Sequence, residues 1–481
     1  MTLDIASIVS NITGLTQDSR AVEPGFLFAA FPGEKFDGRD FIGKALANGA
    51  RYILAPSGTQ RPENIDGLSD TAAQPELITD DNPRHLFALL AAAFYKEQPA
   101  MIAAVTGTNG KTSVVSFLQQ LWSYSGERAE SLGTLSGKMT TLETVALHKE
   151  FKRLREEQNV THLAMEASSH GLDQSRLDGA SIKVAGFTNL SRDHLDYHQT
   201  MENYLQAKAR LFSEVLLDKG IAVLNADVPE FDTLKAICEK RSIKVIDYGY
   251  RAEYIRLVER AANSHGQVIA LGVHGNPYTI ELPLVGEFQA MNALCALGMA
   301  IGSNPDKTNI YLEALGQIKG APGRLQLIDG HPEKAGIYVD YAHTPDALET
   351  VLNALRPHVA DGSKLVCVFG CGGDRDKGKR PIMGEIASRL ADAAIVTDDN
   401  PRSEDPASIR AEILSASSTL EEIGDRREAI RAGISQLRKG DILLIAGKGH
   451  EQGQSFATHT DHFDDAEEAA NAIQTLRQEK D

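Results

Sequence analysis

The chain is poor in cysteine, has no excess of basic residues and contains no long apolar run. Its four cysteines (Cys238, Cys295, Cys367 and Cys371) form no CxxC pair and no secreted-type framework, which points to free buried thiols in a reducing compartment. Acidic residues exceed basic ones, 66 against 49, for a formal net charge of −17. Such a balance excludes general affinity for nucleic acid or an anionic membrane. An anionic substrate must therefore be captured locally, by arginine, lysine, helix ends or metal ions. The opening residues MTLDIASIVS carry aspartate where a signal peptide carries lysine or arginine. No apolar run approaches the ~18 residues that cross a bilayer. A cytoplasmic protein with no membrane or nucleic-acid partner is expected.

What is present is a long chain of ordinary globular composition. At ~150 residues per domain, 481 residues suggest about three domains. Up to residue 98, short apolar runs mix with Gly-, Pro- and Asp-rich turns, and the stretch closes on a helical pattern, HLFALLAAAFYKEQ. Apolar runs at Met101–Val105, His162–Met165, Val184–Phe187 and Ile221–Leu224 then alternate with helical stretches. A second such series follows the boundary GAPGRLQ (Gly320–Gln326), with strands expected at Ile337–Asp340, Leu365–Phe369, Ala394–Thr397 and Ile442–Ala446. Strands alternating with helices mean parallel sheets covered on both faces. The expected fold class is α/β with three domains, spanning residues 1–98, 99–321 and 322–481. The central one is a P-loop, ATPase-like parallel-sheet domain and the last is Rossmann-like.

The central motif is strand, then GTNGKTS (Gly107–Ser113), then helix. Gly107 and Gly110 let backbone N–H groups reach phosphate oxygens, with Thr108 and Asn109 between them. Lys111 brings a cation to the outer phosphates, and the Thr112 hydroxyl is placed for Mg²⁺, followed by Ser113. The positive end of the helix faces the same anion. The strict GxxxxGK[ST] pattern fails because Val105 stands at its first glycine. ATP is the expected ligand, which leaves kinase, hydrolase, switch and ligase open.

Downstream, Glu166 in LAMEASSHGLDQSRLDG lies at a predicted strand end, where active residues of parallel sheets gather. It is a natural Mg²⁺ ligand or a solvated strand end. In FTNLSRDHLDYH, Asp193, His194, Asp196 and His198 crowd one loop after another strand, a pattern that favours a metal or phosphate site. Lys208, as an ammonium ion, offers Mg²⁺ no oxygen. The string TDDNPR occurs twice, at Thr79–Arg84 and Thr397–Arg402. The first copy reads as a helix start, with Asp81 or Asn82 as cap and Pro83 in the first turn. The second follows a strand and precedes a helix at about Pro406, where an arginine can grip a carboxylate with two parallel hydrogen bonds.

GTNGKT, MEASSHGL, TNLSRDHLDYH, QAKA with Lys208, GRLQ, DYAHTPDAL, GCGGDRDKGKRPxM, DDNPR and AGKGHE stand in the order seen in the Mur ligase family. The resemblance covers all three proposed domains, and the family carries the same shortened phosphate loop. It is closest to those members that extend UDP-N-acetylmuramoyl-alanyl-glutamate by the third residue of the bacterial cell-wall peptide. The resemblance implies that Lys111, Thr112, Glu166 and His194 act around ATP and two Mg²⁺ ions. It also implies that Lys208 is carbamylated (N6-carboxylysine), which would supply the missing oxygens. Gln17, Ser19, Thr140, Thr141, Ser168, Gln174 and Arg176 match residues that hold the UDP-sugar peptide, with the Glu34–Phe36 loop beside them. Met139 and Leu142-Glu143 depart from the family pattern around the threonine pair. Asn292, Arg324 and Asp340 match nucleotide contacts, with His343 close by. Arg375, Asp399, Asn400, Pro401, Arg402, Gly447 and Glu451 match contacts to meso-diaminopimelate, and the DNPR form separates its users from lysine-adding relatives.

The implied reaction is ATP-dependent amide formation through an acyl phosphate, which requires no protein nucleophile. The implied protein is a monomer in the bacterial cytoplasm, with domains for uridine nucleotide, ATP and amino acid in that order and a hinge at Gly320–Arg324. The alternatives are a lysine-adding homologue, a folylpolyglutamate synthase-like ligase and, from another class, a nucleotide switch.

Overall fold

The computed structural model describes residues 4–33, 36–60, 75–136 and 139–480. The chain divides into two compact units. One draws on residues 1–111, 126–224 and 228–246, the other on 112–125, 225–227 and 247–481.

The first unit holds two parallel sheets. The smaller has the strand order Gly14–Thr16, Phe26–Ala29, Tyr52–Pro56, Glu76–Asp80. Side chains alternate across a strand, so Leu27 and Leu54 enter one core with Phe87 and Leu90, while Phe28 and Ile53 enter another with Ile42 and Leu46. The expected helix runs over Pro83–Tyr95, with Asn82 Oδ1 accepting from the His85 N–H and Pro83 in its first turn. It stops short of Gln98 because Lys96 turns to φ 63°. The first TDDNPR copy is thus a helix start. Its Arg84 donates to the Pro32 carbonyl at 2.9 Å and lies over the Phe31 ring.

The larger sheet orders Ile221–Asn225, Ile182–Phe187, Met101–Thr106, His162–Glu166 and Ala129–Leu132 in parallel. Four of these match the apolar runs. The fifth, AESL, is a polar edge strand with one buried residue and carries no such signal. The sheet's core includes Phe151, Leu163, Leu172, Phe187 and Phe212.

The chain leaves this unit along the strand Lys244–Gly249. The second unit contains an antiparallel meander, Ile255–Asn263, Gly266–Val273 and Asn276–Leu282, which the strand–helix alternation did not anticipate. The helix Glu287–Ser303 follows, buried along most of its length. A six-stranded sheet comes next, ordered Gln326–Leu327, Gly336–Asp340, Ile442–Ala446, Leu365–Phe369, Ala393–Val396, Glu421–Glu422, with only the first strand antiparallel. Its four long strands match those expected to within a residue at either end. The helix after the second DDNPR is Pro406–Leu414, capped by Asp405. All four cysteines are buried and free. Among the described residues no helix is long and apolar enough to cross a membrane.

One buried ion pair ties the C-terminal helix Asp465–Lys480 to this sheet. Arg426 Nε and Nη2 each lie 2.7 Å from an Asp465 oxygen, and both side chains are fully buried. Nη2 also donates to the Ala446 carbonyl at the sheet's end. Removing one partner strands a charge in a low-dielectric interior. Asp465→Ala is expected to cost about 3–5 kcal/mol, read as a lower urea midpoint at unchanged slope. A midpoint equal to the wild type would refute the anchoring role.

Candidate functional site

The phosphate loop lies between the strand Met101–Thr106 and the helix Lys111–Tyr124. Gly107 (φ 153°) admits no side chain, since a Cβ there would sit 1.9 Å from Thr188 Oγ1. Gly110 turns the loop at φ 86°. The TNLS segment clamps the loop. Thr188 Oγ1 donates to the Asn109 carbonyl at 2.7 Å, the Asn109 N–H donates to Asn189 Oδ1 at 3.0 Å, and the Thr108 N–H donates to the Asn189 carbonyl at 2.9 Å. Thr108 Oγ1 also meets Tyr204 OH at 3.2 Å. Thr112 and Ser113 are buried in the helix's first turn.

Two lysines converge on this loop. Lys111 Nζ donates to the carbonyls of Gly107 and Thr108, and Lys208 Nζ donates to the same Gly107 carbonyl, each at 2.8 Å. Lys208 is 1% exposed and lies over the Tyr204 ring. Burial, reinforced by the Lys111 ammonium, pushes its pKa well below the usual lysine value. A lysine so depressed spends time as the neutral amine, the form that reacts with CO₂.

Glu166 ends the neighbouring strand, paired in register with Val105, and is buried. Its Oε1 accepts the Thr134 N–H at 2.8 Å, and a Cβ on Gly133 would lie 2.2 Å from that oxygen. A hydrogen-bonded chain runs outward from it. Thr141 Oγ1 donates to the Glu166 carbonyl (3.0 Å) and accepts the Ser168 N–H (2.9 Å). Arg176 donates from Nη1 to the Thr141 carbonyl and from Nη2 to Gln174 Oε1, and it pairs with Glu143 at 2.8 Å. Glu143 in turn accepts from Gln17 Nε2 at 3.0 Å. Thr140 joins through Thr134, hydroxyl to hydroxyl, and Ser168 Oγ caps the short helix Ser169–Asp173.

The structure therefore links six of the seven residues matched to the UDP-sugar peptide. Ser19 stands apart, buried in the turn Ser19–Ala21, where its carbonyl accepts from Asn48. Glu34 and Lys35 lie outside the described residues, and Phe36 is exposed. Glu143, which departs from the family pattern, is the carboxylate that joins Gln17 to Arg176.

The acidic-histidine loop does not form the cluster expected of it. His198 is buried and turns to Ser169 Oγ at 2.9 Å, while Asp193, His194 and Asp196 are exposed. His194 adopts φ 52°, lies 3.4 Å from Asp193 and meets the His170 ring edge-on. Among the described residues no group of three or more His, Cys, Asp or Glu side chains could hold a metal. The crowding arises from a tight turn into the helix Leu195–His198, and the rings of His194 and His198 pack against His170 and Tyr204 rather than gathering carboxylates. The groups that suit Mg²⁺ are the Glu166 carboxylate and the Thr112 hydroxyl. Lys208 could add oxygens only after carbamylation, because Mg²⁺ takes hard oxygen ligands.

In the second unit, Asn292 and Arg324 are joined through a residue the sequence did not single out. Asn292 Nδ2 donates to Gln289 Oε1 at 3.0 Å, and Gln289 Nε2 donates to the Arg324 carbonyl at 2.9 Å. The Arg324 guanidinium lies over Tyr341, and its buried Nε has no acceptor among the described residues. Burial raises Asp340 to about 6, and its two oxygens accept the N–H groups of Leu325 and Ala342. Asp340 thus holds the GRLQ turn in place.

Beside this turn is a cavity of about 750 Å³. Arg375, Asp399, Asn400, Arg402, Gly447 and Glu451, all picked out by motif, line it together with His343, Tyr341 and Lys379. Pro401 is buried behind them, its carbonyl so close to Gly373 that a Cβ there would lie 1.9 Å away. Arg402 takes the left-handed conformation at φ 52°, and Nη1 donates to the Gly373 carbonyl at 2.7 Å. Gly372 leaves it room, since a Cβ there would come within 2.8 Å of Nη1. The cavity is lined by two arginines and Lys379 and by the carboxylates Asp376, Asp399 and Glu451, a mixture of charges that can complement a carboxylate and an ammonium on one ligand.

A phosphate loop of this build and a cavity fit for an amino acid describe an ATP-dependent ligase. Three segments match successive domains of one family: residues 11–95 the Mur ligase family catalytic domain, 105–300 the Mur ligase middle domain, and 323–449 the glutamate ligase domain. The chain belongs to the Mur ligase family. Among its relatives, a Caulobacter vibrioides protein named UDP-N-acetylmuramoyl-L-alanyl-D-glutamate--2,6-diaminopimelate ligase is 48% identical over 478 residues, covering 96% of each chain. A Zymomonas mobilis protein of the same name is 50% identical over 453 residues, covering 92% of this chain and 90% of its own. A solved structure of that name superposes with a TM-score of 0.74 at 34% identity, covering 99% of this chain and 100% of its own. A Mycobacterium tuberculosis folylpolyglutamate synthase complexed with ADP shares the fold, with a TM-score of 0.59 at 19% identity over 82% of this chain and 94% of its own.

Proposed function

We propose that this chain adds meso-diaminopimelate to the D-glutamate of UDP-N-acetylmuramoyl-L-alanyl-D-glutamate, at the expense of ATP, in peptidoglycan precursor synthesis. The observation that carries the amino-acid choice is the single cavity joining Arg375, Arg402 and Glu451. Lysine lacks the far-end carboxylate that two arginines would bind, and a folate-type acceptor has no use for the Gln17–Glu143–Arg176 chain.

In this reading residues 1–98 bind the uridine nucleotide, 99–321 bind ATP and 322–481 bind the amino acid. The loop Gly107–Ser113 cradles the triphosphate, with Asn292 and Arg324 on the adenine and phosphate sides and Asp340 holding the turn that presents Arg324. Gln17, Ser19, Thr140, Thr141, Ser168, Gln174 and Arg176 place the acceptor so that its glutamyl carboxylate meets the γ-phosphate. Lys111 leaves its loop carbonyls for the phosphate oxygens and offsets the charge that builds there. Thr112, Glu166 and carbamylated Lys208, with His194 near, would hold two Mg²⁺ ions, which supply charge neutralisation when bound. Transfer of the γ-phosphoryl group makes an acyl phosphate and ADP. The amine of diaminopimelate, held by its far end, then attacks the acyl carbon and expels phosphate. Positioning and electrostatics carry the catalysis, so no protein nucleophile is needed. The protein acts as a monomer in the bacterial cytoplasm.

The test is ADP and phosphate release with ATP, Mg²⁺ and the UDP-dipeptide, across a panel of amino acids. Release that depends on meso-diaminopimelate is expected. Release with lysine but not with diaminopimelate would overturn the substrate, and amine-independent hydrolysis would overturn the ligase reading.

A further inference from the structure

We infer that Lys448 is a positioning residue of the amino-acid cavity: from behind its wall it fixes the amide of Asn400 and, through that amide, aims the carboxylate of Glu451. The inference rests on the proposed reading of the cavity as the diaminopimelate site. Lys448 belongs to the AGKGHE motif, of which Gly447 and Glu451 alone were given a part in binding.

The backbone around it is shaped to turn one long side chain inward. Gly447 at φ 123° and Gly449 at φ 57° flank Lys448 in conformations that side-chain-bearing residues rarely take. A Cβ on Gly449 would lie 2.8 Å from Tyr341 Cβ, so the loop also presses against the cavity's floor. The Lys448 side chain is wholly buried and does not line the cavity. Its Nζ lies 2.9 Å from Asn400 Oδ1, 3.7 Å from Asp399 Oδ1 and 3.8 Å from Glu451 Oε2.

Asn400 is the hinge of the arrangement. Its Oδ1 accepts from Lys448 Nζ and from the Ser455 N–H at 3.0 Å. An amide oxygen facing two donors cannot exchange places with its NH₂ group without setting donor against donor. Nδ2 is therefore turned outward, and it donates to Glu451 Oε2 at 3.0 Å. Glu451 is half-exposed at the cavity, and this hydrogen bond, with one from Tyr341, orients its carboxylate there.

Charge completes the case. Asp399, Glu451 and Asp465 face Lys448 and Arg426, and Lys448 lies within ion-pair range of both Asp399 and Glu451. Burial lowers the pKa of Lys448 from the usual lysine value, with Asp399 and Glu451 pulling the other way. Without Lys448 the wall would hold buried carboxylates with one cation fewer, and the Asn400 amide would lose one of the two donors that set its orientation.

The test is steady-state kinetics on the full chain with K448M, K448Q, N400A and the two double variants. K448M should raise the KM for meso-diaminopimelate by about tenfold or more, as expected for loss of a buried hydrogen-bonded charge. Its KM for ATP and for the UDP-dipeptide should stay within about twofold, with kcat at saturation largely kept. K448Q retains an N–H donor toward Asn400 and should fall between wild type and K448M. Because Lys448 acts through Asn400, either lysine substitution should add little to N400A, whereas independent effects would multiply. Should K448M fail to fold, K448Q with and without N400A carries the same comparison. An unchanged KM, a K448Q no better than K448M, or multiplicative effects would overturn the inference. Wild-type protein without diaminopimelate-dependent ADP release would instead overturn the proposed function.

Discussion

Lys208→Ala abolishes ligation, and added bicarbonate does not restore it: this is the largest effect expected of any single substitution here. Lys208 is almost completely buried, shares the Gly107 carbonyl with Lys111, and is depressed by burial and by that neighbouring ammonium. Two cations on one carbonyl repel, and losing a proton from the more buried one relieves both strains. The neutral amine can then add CO₂, forming an N–C bond and releasing a proton, to leave a carbamate where an ammonium stood. That converts a group useless to Mg²⁺ into an oxygen ligand of the right charge. Removing an electrostatic element of this kind from an active site costs on the order of a hundred- to a thousandfold or more in rate. The loop itself should survive, since Lys111 still donates to Gly107 and Thr188, Asn189 and Tyr204 still clamp Thr108 and Asn109. Thermal unfolding and nucleotide binding of the variant would establish that. Full activity in Lys208→Ala would remove the carbamate from the mechanism, as would failure of wild-type protein to take up labelled bicarbonate at this residue.

Arg402→Ala raises the KM for diaminopimelate far more than the KM for ATP. Arg402 is held for recognition rather than for stability. Its backbone N–H donates to the Ser455 carbonyl, Nη1 rests on the Gly373 carbonyl, and among the described residues no carboxylate forms an ion pair with it, although Asp374 feels its charge. Its guanidinium therefore reaches the cavity with donors to spare. Loss of a buried charge-assisted pair costs ~2–5 kcal/mol, which is roughly thirty- to several-thousandfold in KM at 1.4 kcal/mol per decade. The fold should be indifferent, because the side chain lies at the cavity surface and outside the cores. An unchanged KM would make DDNPR a structural turn only, as it is at Asp80–Arg84.

The two TDDNPR copies show how much such strings say alone. Both lie between a strand and a helix, and both place an arginine near the turn. At Arg84 the guanidinium donates to Pro32 and stacks on Phe31, whereas at Arg402 it lines a cavity with Arg375 and Glu451. The difference is made by partners far along the chain. The same holds for the acidic-histidine loop, where sequence proximity suggested a metal cluster. Among the described residues the loop's histidines instead join a ring cluster with His170 and Tyr204, His198 turning inward to Ser169, and no metal-holding group forms.

Strands buried on both faces were legible because apolar runs have no other use at that length, and the eight expected ones are present. Ala129–Leu132 and the antiparallel meander were not, since an edge strand and a half-exposed ribbon need not be apolar throughout. Motif order carried the family and the residues of the amino-acid cavity, while residue type and spacing carried the phosphate loop. Residues that act by holding others left no such mark. Glu143 reads as a departure from pattern, Gln289 as one more helix residue and Lys448 as motif filler.

The sequence by itself determined the alternation of strand and helix and the strand–glycine loop–helix unit, because each depends on local spacing and residue type, and its motif order determined the family. Only the tertiary structure decided that Lys208 and Lys111 share one carbonyl, that Gln17 reaches Arg176 through Glu143, and that Lys448 stands behind Asn400. Those are facts of distance between segments remote in sequence, and burial, which sets the charge state of a lysine, exists only once the chain has folded.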